Sequence, residues 1–265
     1  TIFLAVIGFI LLYSIINNPY EKGDIFLSFI FSVTRLIICF IFAFFIINLL
    51  ILTKFTSKQR ISQSYLGPIT NFLKRYGKFA VLILLLISLY RIADVVMGVM
   101  ANIFYLEKGY KISEIATFSK FFGVFATIFG GFIGGYCSYR FGTMKALFFG
   151  ALIAALSNLL FAWLAVSPIS IDFLIAVITA DNISSGFAGA AFVIYLSGLT
   201  SVKFTATQYA LFSSIMLFLP KLIAGYAGSW VDVMGYAYFF SFTAFLGIPV
   251  LFLILWIGKV APIKN

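Results

Sequence analysis

Eight stretches of this sequence are apolar enough to be read as membrane spans, roughly residues 2 to 17, 25 to 52, 79 to 104, 113 to 138, 146 to 166, 171 to 198, 207 to 229 and 237 to 257. A helix rises about 1.5 Å per residue, so roughly 20 apolar residues cross the ~30 Å hydrocarbon core. A transmembrane barrel would instead show alternating strands of about 10 residues. With 63% apolar and 10% charged residues, the chain also lacks the polar material to cover a soluble domain. These features predict an all-α, multi-pass membrane protein.

Charge orients the spans. The connection 54 to 78 carries Lys54, Lys58, Arg60, Lys74, Arg75 and Lys78 without an acid, which places it on the cytoplasmic side. Alternation then puts Arg140, Lys145, Lys203, Lys259 and Lys264 inside, and Pro168, Asp232 and the segment from Glu107 to Glu114 outside. A net charge of +10 is thus explained by basic loops, with no nucleic-acid partner implied. There is no histidine, and Cys39 and Cys137 fall in or beside apolar spans, so no metal site and no cofactor are expected. The expected organisation is a two-helix hairpin (1 to 53), a basic cytoplasmic linker (54 to 78), a six-helix block (79 to 258) and a cytoplasmic tail (259 to 265). The linker's Gly67-Pro68 and the amphipathic run Ile69 to Tyr76 suggest a short interfacial helix. Because the sequence opens at Thr1 with no initiator Met and no charged leader, it reads as a segment of something longer.

The six-helix block holds a faint copy of itself. Gly135, Tyr139 and Gly142 recur in spacing as Gly228, Asp232 and Gly235, 93 residues on. Phe118-Ser119 matches Phe212-Ser213, Gly131 matches Gly225, and Ala93-Asp94 matches Ala180-Asp181, at offsets of 87 to 94 residues. Units of three spans must cross in opposite senses, so an inverted three-plus-three repeat is expected, an arrangement that marks transporter folds.

An ionisable side chain at mid-bilayer costs at least ~2.5 to 3.5 kcal/mol and must face protein or water. Arg91, Asp94, Gly98 and Asn102 lie within about 80° on one helix face, at ~100° per residue. Lys120, Gly123, Thr127, Gly131 and Gly134 share a face of the next span, Asp181, Ser184, Ser185 and Ala188 a face of the sixth, and Ser214, Lys221, Gly225 and Gly228 a face of the seventh. For the glycines the plain expectation is close helix packing. For the charges it is an internal Arg91 to Asp94 pair, with Lys120 and Lys221 snorkelling to an interface; the functional expectation is a wet cavity. There Arg91 and Lys120 suit an anionic group, and Asp94 and Asp181 are the carboxylates placed to exchange protons. Tyr90, Tyr105, Tyr195 and Tyr209 are candidates for stacking on sugar rings. No paired catalytic set appears, so an enzyme is not expected.

Leu89-Tyr90-Arg91-Ile92-Ala93-Asp94, Phe118-Ser119-Lys120 and above all Ser201 to Ser214, with its run A-T-Q-Y-A-L-F-S, resemble the AmpG-type muropeptide permeases of the major facilitator superfamily, over about residues 78 to 258. The loop Gly135, Arg140, Gly142, Lys145 is similar to the superfamily's gating motif, although Tyr139 holds its acidic position and Thr143 its first basic one. The resemblance implies proton-driven import of an anionic anhydromuramyl sugar or peptide across the bacterial cell inner membrane. Asn102 on the polar stripe and Gln208 in the resembling stretch join Arg91 and Lys120 as candidates for substrate contacts; Gln208, at a cytoplasmic helix start, is also placed to hold the inner gate or to cap its helix. It also implies that residues 1 to 53 are the two extra spans between the family's six-helix halves, and that a six-helix N-terminal half in the same or another chain is needed for transport. The different-class expectation is a non-transporting membrane protein.

Overall fold

The computed structural model describes residues 2 to 20, 24 to 53 and 66 to 260. Residues 54 to 65 of the basic linker, and 261 to 265 of the tail with Lys264, lie outside them. The described residues form helices and no strand: α1 (Ile2–Ile15), α2 (Ile25–Leu52), α3 (Gly67–Tyr76), α4 (Ala80–Leu89), α5 (Ile92–Lys108), α6 (Ile112–Ile115), a π-helical segment (Ala116–Phe122), α7 (Gly123–Phe141), α8 (Thr143–Val166), α9 (Ile171–Leu199), α10 (Thr205–Ala224) and α11 (Ala227–Val260). Among the described residues, seven helical stretches are long and apolar enough to cross a membrane. The chain is an all-α membrane protein.

The first expected span is a shorter apolar helix. The apolar run from residue 2 gives a helix of only 14 residues, about 21 Å long. Asn17, Asn18 and Pro19 follow it, and a residue before proline is driven out of the α region. Asn18 then joins this turn to α2, its side-chain amide donating to the Ser28 and Ser32 hydroxyls at 2.9 and 3.1 Å. Asp24 caps α2 by accepting from the Phe26 and Leu27 N–H groups. The Arg35 guanidinium, 3.6 Å from the Tyr13 ring centroid, bonds to the Tyr13 carbonyl. These contacts close the hairpin within the first of two compact units, Thr1–Asn71.

The second unit, Phe72–Asn265, holds the six-helix block. The amphipathic helix expected from Ile69 is α3. Its Phe72 is buried with ring centroids 5.0 Å from Phe212 of α10, and Arg75 donates to the Thr200 carbonyl at 3.1 Å.

The repeat has a structural counterpart. Gly142 (φ 91, ψ 149) and Gly235 (φ 75, ψ 164) adopt nearly the same left-sided backbone conformation, which a side chain would strain. Each separates the second from the third helix of its unit. At Gly235 the result is a kink inside one continuous helical stretch, so α11 begins at Ala227 and the seventh span ends at Ala224, earlier than hydropathy suggested. The packing is reciprocal as well. α7 lies on α9 as α10 lies on α4 and α5; α8 lies on α9 as α11 lies on α5; and α8 and α11 lie on each other.

Without a hydrophobic force between helices in lipid, close approach through small residues supplies the contact energy. A Cβ at Gly130 or Gly134 would overlap the carbonyl oxygens of Ile183 and Phe187, and one at Gly186 that of Thr127. These are backbone atoms of the facing helix and cannot turn aside. Gly98 meets nothing within 4 Å. Gly186→Val is therefore expected to cost about 3 kcal/mol through overpacking, whereas Gly98→Ala gains up to ~1 kcal/mol of helix propensity. Melting curves in detergent check the pair; equal melting temperatures would show that α7 and α9 do not cross there.

Candidate functional site

Three charged residues of the six-helix block, Arg91, Asp94 and Asp181, stand near the middle of their helices. Asp94 lies halfway along the 80 to 108 stretch, and Asp181 is ten residues into α9. Between α4 and α5 the helix is broken at Arg91, whose backbone is non-helical (φ −98, ψ 11). Broken helices at membrane depth are tolerated where they line a protein-enclosed site, and transporters build binding sites on them. From this break the Arg91 side chain reaches two helices. Its Nε lies 3.1 Å from Asp94 Oδ2, with the side chains only 23% and 14% exposed, and its Nη2 donates to the Ser185 hydroxyl of α9 at 3.1 Å. The Nε proton is not aimed at the carboxylate, so charge rather than a hydrogen bond holds that contact. Gly189 leaves room for the guanidinium against α9, since a Cβ there would stand 3.3 Å from Nη1.

Asp181 stands one helical turn before Ser185, on the face of α9 that Arg91 reaches. Its Oδ1 faces the Ser157 hydroxyl of α8 at 3.5 Å, and Ser157 lies 3.1 Å from the Ser184 hydroxyl. One residue on, the Asn182 amide oxygen accepts from Thr127 of α7 at 2.9 Å. Two carboxylates and one guanidinium therefore sit where helices of both repeat units meet. With both acids ionised they carry a formal −1, and with one protonated they are neutral. In a low-dielectric interior that difference is large. Among the described residues Ser185 is the one hydrogen-bond acceptor of Arg91, so most of its five N–H donors have no acceptor there.

The other expected residues are placed differently. Gly98 and Asn102 continue the Asp94 face to an exposed surface, so the stripe begins in the buried pair and ends open. Lys120 is exposed on the π-helical segment; such bulges often mark functional positions. Gln208 is fully buried, and its Oε1 accepts from the Ser201 backbone N–H at 2.7 Å, anchoring the turn that leads into α10. The structure thus gives Gln208 a local structural task apart from the central cluster. In the loop motif Arg140 and Lys145 are exposed, Tyr139 is 88% exposed, and Gly135 and Gly142 flank the end of α7. Three of the tyrosines proposed for sugar stacking are core residues: Tyr90, Tyr105 and Tyr195 are each no more than 5% exposed. The Tyr90 hydroxyl donates to the Leu147 carbonyl at 3.2 Å while its ring stacks on Phe192.

Ser157 and Asn182 escaped the sequence reading. Ser157 is a lone hydroxyl in an apolar helix, and only packing against α9 reveals its partner. Asn182 adjoins Asp181, and its contact with Thr127, on a face already singled out, was the available signal.

No family model matches the chain. Among curated proteins it is similar to one named "Putative transporter AmpG 4" from Rickettsia conorii, at 36% identity over 212 residues, covering 80% of this chain and 49% of that protein. A protein of the same name from Rickettsia felis is 34% identical over 258 residues, covering 95% of this chain and 60% of that protein. "Putative transporter AmpG 1" from Rickettsia bellii is 35% identical over 189 residues, covering 71% and 46%. The chain spans about half to three fifths of the length of the first two. With the matched residues running through the whole six-helix block and a bundle that carries its polar cluster at mid-depth, the chain belongs with the AmpG-type permeases.

Proposed function

We propose that this chain is part of a secondary transporter of the major facilitator type, importing anhydromuropeptides with protons across a bacterial inner membrane. The observation that carries the proposal is the cluster of Asp94, Arg91 and Asp181 at the meeting of two inverted three-helix units, in a protein whose relatives are named transporters. Arg91 offers a forked cationic site to an anionic sugar or peptide group. Lys120 and Asn102, on open surfaces, extend it. Asp94 and Asp181 take up and release the proton, and the loop from Gly135 to Lys145 moves as the inner gate opens. Gln208 acts on this cycle by holding the turn before α10. The substrate cavity is completed by a six-helix N-terminal half, because in such folds the site lies between two halves.

The test is uptake of labelled anhydromuropeptide by cells lacking their own permease and expressing this chain together with such a half. Accumulation is expected, and a protonophore should abolish it. Accumulation that survives the protonophore would remove proton coupling. Import of other small solutes, with none of the muropeptide, would remove the substrate assignment.

A further inference from the structure

The two repeat units leave two related grooves at opposite ends of α8 and α11. One, of about 460 Å³, lies between the start of α8 and the end of α11, lined by Met144, Lys145, Phe148, Phe149, Leu255 and Lys259. The other, of about 500 Å³, lies between the start of the Gly235 to Val260 helix and the end of α8, where Glu107 and Lys108 of α5 border it. The pair differ in charge. At the second groove the charges are consumed internally: Lys108 donates to the Ala165 and Ser167 carbonyls at 2.8 and 2.6 Å, and Glu107 accepts from the Tyr236 hydroxyl at 2.9 Å. At the first, two exposed lysines stand over an apolar floor with no acid in the lining, and neither has an ion pair among the described residues. No side chain caps the start of α8 beside Lys145, so its first N–H groups add to the positive potential there.

We propose that this groove binds one anionic phospholipid of the cytoplasmic leaflet, its phosphate between Lys145 and Lys259 and an acyl chain along the apolar floor. Three features select that occupant. The basic loops put this end of the bundle on the cytoplasmic side, where anionic headgroups attract lysines. The exposed residues in and beside the groove are large and apolar, among them Phe149, Phe252, Leu255 and Trp256, as lipid contact requires. And the related groove at the other end, its charges already engaged, supplies an internal contrast. This inference stands apart from the substrate and coupling proposed above and survives if either fails.

The test uses the purified full chain in uncharged detergent with Trp163 and Trp230 replaced by Phe. Trp256, which is 58% exposed and one helical turn before Lys259, then reports quenching by brominated lipid. Brominated phosphatidylglycerol is expected to quench saturably and far more tightly than brominated phosphatidylcholine. With each lysine worth about 1 kcal/mol at an anionic surface, Lys145→Gln with Lys259→Gln should weaken phosphatidylglycerol binding about 30-fold, whereas Lys111→Gln changes nothing. Equal quenching by the two lipids, or unchanged affinity in the double variant, would overturn the proposal. So would full protection by sn-glycerol 1-phosphate at the lipid's own concentration, which would mean that a free phosphate is the ligand. If the double variant does not accumulate, Lys259→Gln alone should weaken binding several-fold, and an unchanged affinity there would overturn the proposal equally.

Discussion

Asp94→Asn and Arg91→Ala are each expected to abolish uptake by the completed transporter, a loss of at least about 100-fold, while its amount in the membrane stays near that of the parent protein. Asp94→Asn keeps the side chain's shape and removes its charge, so the Arg91 guanidinium loses its nearest counter-ion, 3.1 Å away. Arg91 still has Ser185 within 3.1 Å, which limits the structural damage. Arg91→Ala removes the cation that faces Asp94; one proton on each of Asp94 and Asp181 then leaves the site uncharged, so the bundle can assemble. Breaking a fully enclosed ion pair typically costs 3 to 5 kcal/mol because one charge is stranded, but these side chains keep 23% and 14% of their surface and can reach water. Uptake and immunoblotting of membranes from the same cultures check this. If both variants vanish from the membrane, the pair is a structural clamp between α5 and α9.

The spans were legible because hydropathy over ~20 residues decides membrane insertion, and the repeat because glycines of matching backbone conformation recur at Gly142 and Gly235. The first apolar run shows where composition alone stops informing, since apolarity sets where a helix is tolerated but Asn17, Asn18 and Pro19 set where it ends. The glycine faces show a subtler limit. Gly130, Gly134 and Gly186 fill a helix crossing, whereas Gly98, Gly135 and Gly228 meet nothing within 4 Å, and helical periodicity cannot separate the two groups because both lie on regular faces. The Arg91 to Asp94 spacing marked a pair that the structure brings into contact. The break at Arg91 did not announce itself, for neither Gly nor Pro stands there, and the contact of its guanidinium with Ser185 of α9 is one that only the fold reveals. Gln208 carried the strongest family pattern and proved to be a buried anchor for the Ser201 turn, since a motif reports that a residue matters without saying in what way.

Asp181→Asn is expected to separate proton coupling from substrate movement. Asp181 makes neither contact of the Arg91 fork: Arg91 binds Asp94 on its own helix and Ser185 on α9, while Asp181 faces the Ser157 hydroxyl of α8. Neutralising it therefore leaves the proposed anion site standing and fixes the cluster in the charge state that the proposed uptake of a proton would give it. Ionisable residues kept inside a membrane typically mark such proton relays. In liposomes holding the completed transporter, exchange of labelled for unlabelled substrate, which needs no net proton movement, should stay within about threefold of the parent. Accumulation driven by an imposed proton gradient should fall at least about tenfold, to simple equilibration. The sign follows from the stoichiometry: a carrier locked in its protonated-like state gains nothing from the gradient, whichever way that gradient points. Asp94→Asn should lose both activities, because it disturbs Arg91 directly. An Asp181→Asn protein that concentrates substrate as well as the parent would take Asp181 out of the proton path and leave Asp94 as the coupling carboxylate within this chain.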